Sequence, residues 1–312
     1  MRYVQKVLAA ALLVAFSASV AIAQGDRVFS VPLDHLKTWS EKVIVALNVE
    51  ITGNSKVHKV ESDCEMHFGA KAAAYNGDPP GLVLEPMNVC LVAFPGKSTQ
   101  SNKDWEDFGK SLKGAKVRAE GVPRIWPEHL VGGGDSNPNH ALELHPLTKL
   151  QRGNQVFDFT KYIYAPDGFE GGVGAETAQR ILTDTEVNVT ERDGMVEVNF
   201  DAGRIGNFTT LHLSVAPDSI VEVDGSHRMN GQVNLGRKQK ASARLVTVAG
   251  TEINKTIAQL KGKKSRKLTF DALVLFSLSP EALYKAAKES RGQQLLVQDP
   301  LQLIVYGQPE SE

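Results

Sequence analysis

Three histidines and a carboxylate bracket two turn-rich segments of this chain. His58 closes the segment 52–58. His129 and His140 stand near the ends of the segment 127–140, and Asp135 lies between them within Gly132-Gly133-Gly134-Asp135-Ser136-Asn137-Pro138-Asn139. Imidazole and carboxylate donors suit zinc, and a zinc ion with an open position would activate water for hydrolysis. The spacing matches no HExxH-type motif, and histidines at strand ends also serve simply to hydrogen-bond loop backbone. Both readings stand at this point.

Glu143 and His145 lie two residues apart, on one face if the segment is a strand. That suits a carboxylate–imidazole hydrogen bond, the start of an acid–base pair, or else a solvated contact. Tyr75 and Trp126 are rings that could stack a sugar or base, or pack in a core. Residues 235–267 gather Lys238, Lys240, Lys263, Lys264, Arg266 and Lys267 with four further basic residues against Glu252 alone. Such a stretch could meet an anionic polymer, an acidic lipid surface or an acidic partner. It equally fits two hairpins whose exposed edges use lysine against edge pairing. Gly171, Gly172 and Gly174 follow neither common phosphate-loop pattern.

The chain begins as an export signal would. Arg2 and Lys6 precede an apolar run from Val7 to Ala21, and Ala21-Ile22-Ala23 has the small-x-small pattern of a cleavage site, making 1–23 the leader and Gln24 the mature N-terminus. Nothing later is apolar for long enough to span a bilayer. Export favours a disulfide between Cys64 and Cys90, the chain's two cysteines. Formal net charge is −1 over 312 residues, and hydrophobic residues make up 42%, enough for ordinary cores. Near-neutrality argues against steering of the whole protein toward nucleic acid.

The elements that must position these residues are mostly strands. Within 28–150, alternation predicts strands at 43–51, 60–68, 82–92, 116–125 and 140–147, with an amphipathic helix from Ser101 to Leu112 stopped by Gly114. Strand, strand, strand, helix, strand, strand is the order of an OB-type barrel, which binds on strands two and three between the loops 52–58 and 127–140. The glycines and asparagines of the second loop predict mobility. Residues 151–312 read as a second β-rich domain, a sandwich or barrel, with turns at Arg192-Asp193-Gly194 and Asp224-Gly225. A helix there opens on Ser279-Pro280 and stops at Gly292. No exact repeat relates the two halves.

Lys113-Gly114-Ala115-Lys116-Val117-Arg118, leading to Gly121-Val122-Pro123, and His140-Ala141-Leu142-Glu143-Leu144-His145-Pro146 resemble the last two strands of exported bacterial OB-fold-like proteins of unsettled function. The resemblance covers about residues 28–150. It implies a barrel and export, and brings no catalytic residue with it. The arginine–carboxylate constellation of the thermonuclease branch cannot be assembled here. The expectation is a periplasmic or secreted binding or assembly protein, without enzymatic activity, acting through the OB face and the 127–140 loop. The alternatives are a metal-assisted hydrolase and an anionic-polymer binder. No motif names a cofactor, a ligand or a protein partner.

Overall fold

Short amphipathic strands that each bury one face need closure or a partner layer, and this chain uses both. A computed structural model describes residues 27–163, 172–235, 239–261 and 267–307. In chain order the elements are β1 (Arg27–Pro32), α1 (Leu33–Glu41), β2 (Val45–Asn54), β3 (Phe68–Lys71), β4 (Gly81–Leu84), α2 (Asn102–Leu112), β5 (Lys116–Ile125), β6 (His140–Arg152), β7 (Gln155–Asp158), α3 (Ala175–Asp184), β8 (Glu186–Arg192), β9 (Met195–Asp201), β10 (Phe208–Val215), β11 (Val221–Val223), β12 (Ser226–Asn234), β13 (Lys240–Thr247), α4 (Glu252–Leu260), β14 (Leu268–Leu278), α5 (Pro280–Ser290), β15 (Leu295–Leu296) and β16 (Leu301–Val305).

The first barrel runs β2-β3-β4-β6-β5 and back to β2. Every pairing is antiparallel except β4 with β6, which is parallel and closes the ring. This is the OB-type order. Its helix α2 starts where Ser101 accepts a hydrogen bond from the Asp104 amide, and it buries Trp105 and Leu112. The second domain is also a closed barrel, running β10-β12-β13-β16-β14 and back to β10, again with one parallel pair, β13 with β16. Strand for strand it repeats the first, and α4 occupies the slot that α2 fills there. The repeat is one of topology that the sequence does not display. The two hairpins expected over 235–267 are replaced by β13 and α4. Thr251 caps that helix, and Ile253 and Ile257 anchor it.

A third layer joins the halves. β1 pairs with β9, β9 with β8, and β8 with β15, so residues 27–32 complete a sheet built otherwise from beyond residue 185. Asp193 and Gly194, both at positive φ, make the tight turn between β8 and β9. α1 packs on α5. Arg228 and Arg244 of the second barrel donate to the carbonyl of Ser40 at 2.6 and 3.1 Å, capping the C-terminal end of α1 alongside its own Ser40 hydroxyl, which bonds the Lys37 carbonyl. Cys64 and Cys90 are disulfide-bonded. No helix among the described residues is long and apolar enough to cross a membrane.

The two barrels meet along a seam. Val43, Met87, Val122 and Ile163 pack against Phe208, Leu273, Ile304 and Tyr306. Arg124 Nε donates to the carbonyl of Phe276 at 2.8 Å, and the Ile125 amide to Ser277 Oγ at 3.1 Å. The seam explains why β6 is buried on both faces from His140 to Thr148. Leu142 and Leu144 join the main core, while Glu143 and His145 belong to the seam.

Candidate functional site

Buried charge is costly, so its location is informative. Glu65, Glu85, Arg124, His140, Glu143 and His145 are all buried, and they converge at one end of the seam. Arg124 Nη1 donates to Glu143 Oε2 at 2.5 Å. His140 reaches the other oxygen of that carboxylate at 3.2 Å, because an extra residue at Ala141 interrupts the β4–β6 register and brings His140 to the side of Glu143. His145 is ion-paired through Nδ1 with Glu85 and, at 3.4 Å, with Glu143. Its Nε2 lies 3.0 Å from Glu65, and its ring is stacked on Tyr306.

The charge states follow from competition between burial and neighbours. Burial opposes ionisation of Glu143, yet Arg124 and the hydrogen bonds from His140 and His145 outweigh it and hold the carboxyl well below its ordinary range. Burial and Glu143 both press Glu85 upward, but His145 and His67 bring it down to about 2. At Glu65 burial outweighs the pull of His145, so that carboxyl is raised well above its ordinary range. His145 is held well above the usual imidazole value, with burial overcome by Glu65 and its other neighbours. At His140 burial is likewise overcome, chiefly by the hydrogen bond to Glu143.

A raised histidine stabilises the fold fully below its unfolded value, about pH 6.5, and that contribution is lost as pH rises through the folded value. His140→Asn is therefore expected to flatten part of the stability loss between neutral and alkaline pH. Urea midpoints of both proteins across that range check this, and identical slopes would contradict it.

The network opens on a cleft of about 520 Å³ lined by the 57–67 segment, Glu85, Arg124, Glu128, His129, Glu143 and Asn207 of the second half. Other hollows are larger, including one of about 830 Å³ beside α1, but this cleft has buried Arg124, Glu85 and Glu143 in its wall. Among the described residues Arg124 Nη2 has no hydrogen-bond partner, and it is ion-paired with Glu128 at 3.7 Å. His58 Nδ1 lies 2.7 Å from Asp63 Oδ1, a bond that raises the imidazole. His67 stands edge-on to His58 with ring centres 4.7 Å apart, 3.6 Å from Glu85, and burial lowers it.

The four metal ligands expected from sequence are not brought together. His58 and His129 both line the cleft. His140 lies buried beneath His129, ring on ring at 5.3 Å, with both nitrogens already used, on the Pro138 carbonyl and on Glu143. Asp135 is exposed and paired with Lys113 at 2.9 Å. Its loop is tied down by hydrogen bonds. The Asp135 carbonyl accepts from Thr52 Oγ1 at 2.6 Å, and the Gly133 amide donates to Asn139 Oδ1 at 2.7 Å. The 133–139 stretch lies across the outer face of β2, β3 and β4, where a Cβ on Gly69 or Gly81 would strike its backbone. The face on which an OB barrel takes its ligand is thus partly strapped over by the chain itself, leaving a hollow of about 460 Å³ between Thr52, Ala70, Gly81 and the strap.

Tyr75 and Trp126 offer no stacking platform. Tyr75 is buried against His35 and Trp39. Trp126 is wedged between Phe200 and Phe276, and its indole N–H donates to the Gly206 carbonyl at 3.1 Å. Glu143 and His145 do pair, but in the dry seam, and of the two only Glu143 reaches the cleft. Among the anion-contact candidates, Lys240 is exposed and Lys267 is exposed and donates to Gln232 at 3.2 Å. Lys238, Lys263, Lys264 and Arg266 lie outside the described residues, as does Gly171. Comparison with known proteins adds no further constraint. The chain matches no family model, no curated protein and no solved structure. The site therefore stands on its own geometry.

Proposed function

We propose that this is an exported, non-enzymatic binding protein whose ligand site is the cleft at the seam between its two barrels, in place of the strapped OB face. One observation carries the reading. Arg124, Glu85 and Glu143 are kept almost fully from water and yet form the wall of an open cleft, where Arg124 Nη2 has no hydrogen bond. Such charges cost stability unless paired, and their convergence in a pocket marks a ligand site more than a structural device. Four carboxylates, Asp63, Glu85, Glu128 and Glu143, outnumber Arg124 and Lys59, which favours a small ligand with a cationic centre. The basic leader and cleavage pattern at 1–23, together with the disulfide, support export to the periplasm or medium.

The metal-assisted hydrolase reading keeps one observation in its favour, the His58–Asp63 pair opening on the cleft. A thermal-shift screen of small cations and zwitterions separates the possibilities. Ser62 is exposed and lines the cleft, so Ser62→Trp should obstruct it without touching the core. Compounds that stabilise the mature protein and lose their effect in Ser62→Trp support the cleft. Stabilisation indifferent to that substitution contradicts it. Turnover of ester or phosphoester probes, abolished by His58→Ala, would replace binding with hydrolysis.

A further inference from the structure

We propose that His58, Asp63 and His67 bind one divalent transition-metal ion, zinc being the best match, at the mouth of the cleft. This deepens the binding reading and rests on it, since it names the cationic centre that the cleft takes. One donor atom from each residue lies within 4.8 Å of the others. Zinc with bonds of about 2.0–2.1 Å sets its tetrahedral ligands roughly 3.4 Å apart, so the His58–Asp63 pair, hydrogen-bonded at 2.7 Å, must open slightly while the wider separations close on binding. All three are partly exposed, at 27%, 18% and 12% of their side-chain surface, and have room to do so.

Their backbone, by contrast, is already fixed. Ser55 and His67 are tied by two hydrogen bonds, the Ser55 amide to the His67 carbonyl at 2.9 Å and the His67 amide to Ser55 Oγ at 2.9 Å. The His58 amide donates to the Glu65 carbonyl at 2.8 Å. Between them, the Lys59 carbonyl accepts the amides of Ser62, Asp63 and Cys64, and Cys64 is bonded to Cys90. A clasp of this kind, anchored by the disulfide to Cys90, holds three donors on one short segment.

Two neighbours suit a metal specifically. Glu85 stands 3.6 Å from His67 Nε2, the position of the carboxylate that orients a ligating imidazole from behind. Arg124 is 1% exposed in its side chain, and its Nη2, without a hydrogen bond, borders the same cleft. Three protein ligands leave a fourth zinc position open, and Arg124 supplies a cation that would hold an anionic group bound there. The two other clusters of His and Glu in the seam, Glu65–Glu85–His145 and Glu85–His140–Glu143, are wholly buried and satisfied largely by one another, so they are not the entry point.

The test is a calorimetric titration of the mature, untagged protein with zinc chloride alone. One equivalent should bind with a Kd below about 1 μM. His67→Ala should weaken binding by about 100-fold or more. Asp63→Asn, which preserves side-chain size, should also weaken it sharply while leaving the thermal unfolding of the metal-free protein near wild type. His212→Ala, on β10 of the second barrel and outside the cleft, should bind as wild type does. Failure of the wild-type protein to bind zinc, or equal binding by His67→Ala and Asp63→Asn, overturns the proposal. In that event, small-molecule stabilisation that is lost in Ser62→Trp would still uphold the cleft. Loss of the cleft reading itself shows as ligand binding that ignores Ser62→Trp.

Discussion

Replacing Arg124 with methionine is expected to destabilise the protein by about 3–5 kcal/mol, the cost of leaving a buried acid without its cation. The guanidinium is the nearest full positive charge to Glu143 and also donates across the seam to the Phe276 carbonyl. Without it Glu143 must either stay charged in a dry site or take up a proton, and Phe276 loses its donor. Removing both charges should cost less than removing one, because the desolvation penalty of the acid disappears along with the attraction. Arg124→Met/Glu143→Leu is therefore expected to be more stable than Arg124→Met alone. Urea unfolding of the four members of the cycle measures this. An Arg124→Met protein within about 1 kcal/mol of wild type would mean that the seam network is not a coupled unit.

The second large effect concerns the Cys64–Cys90 bridge. The bonded cysteines are 26 residues apart, and cross-linking a loop of that length is worth about 3.5 kcal/mol through the unfolded state. The segment it closes carries Glu65, His67, Glu85 and Met87, so the bridge also holds the acids of the network and one wall of the cleft in place. Cys64→Ser/Cys90→Ser is expected to unfold at lower urea and to lose stabilisation by any cleft ligand. Reductant should shift the wild type toward the variant and leave the variant unmoved. If reductant left the wild type unchanged, the bridge would contribute nothing to stability.

The first barrel was largely legible from sequence because its signals are local. The alternation at 45–51, the Ser101 cap with Trp105 and Leu112 on one helix face, and the run 116–125 each depend on near neighbours. The second strand is shorter than the alternation over 60–68 predicts. The residues 60–64 that seemed to begin it form a turn closed on the Lys59 carbonyl, leaving only Phe68–Lys71 as strand. The third ends at Leu84, where Glu85 turns into the seam instead of continuing to residue 92. α1 carries no local start signal, since Pro32 at its N-cap provides no side-chain cap. Its C-terminal end is completed by Arg228 and Arg244, 188 and 204 residues away.

The site was less legible for a related reason. Glu65 and His67 alternate with Met66 and Phe68, and Glu143 and His145 with Leu142 and Leu144. That pattern describes a solvated outer face equally well as one covered by another domain. What decides between them is the second barrel, whose Phe276, Tyr306 and Asn207 arrive from far along the chain. Arg124 and Glu85 sit beside Pro123 and Pro86, and no near neighbour in sequence marks either as a buried charge.

Hydrogen exchange of the protein, with and without the compound that stabilises it most, tests the central claim most directly, because it maps where binding protects the backbone. The account predicts new protection at 57–67 and 124–129, on the two sides of the cleft, with 133–139 unchanged. Protection confined to β3, β4 and the 133–139 strap would contradict it and return the ligand to the OB face.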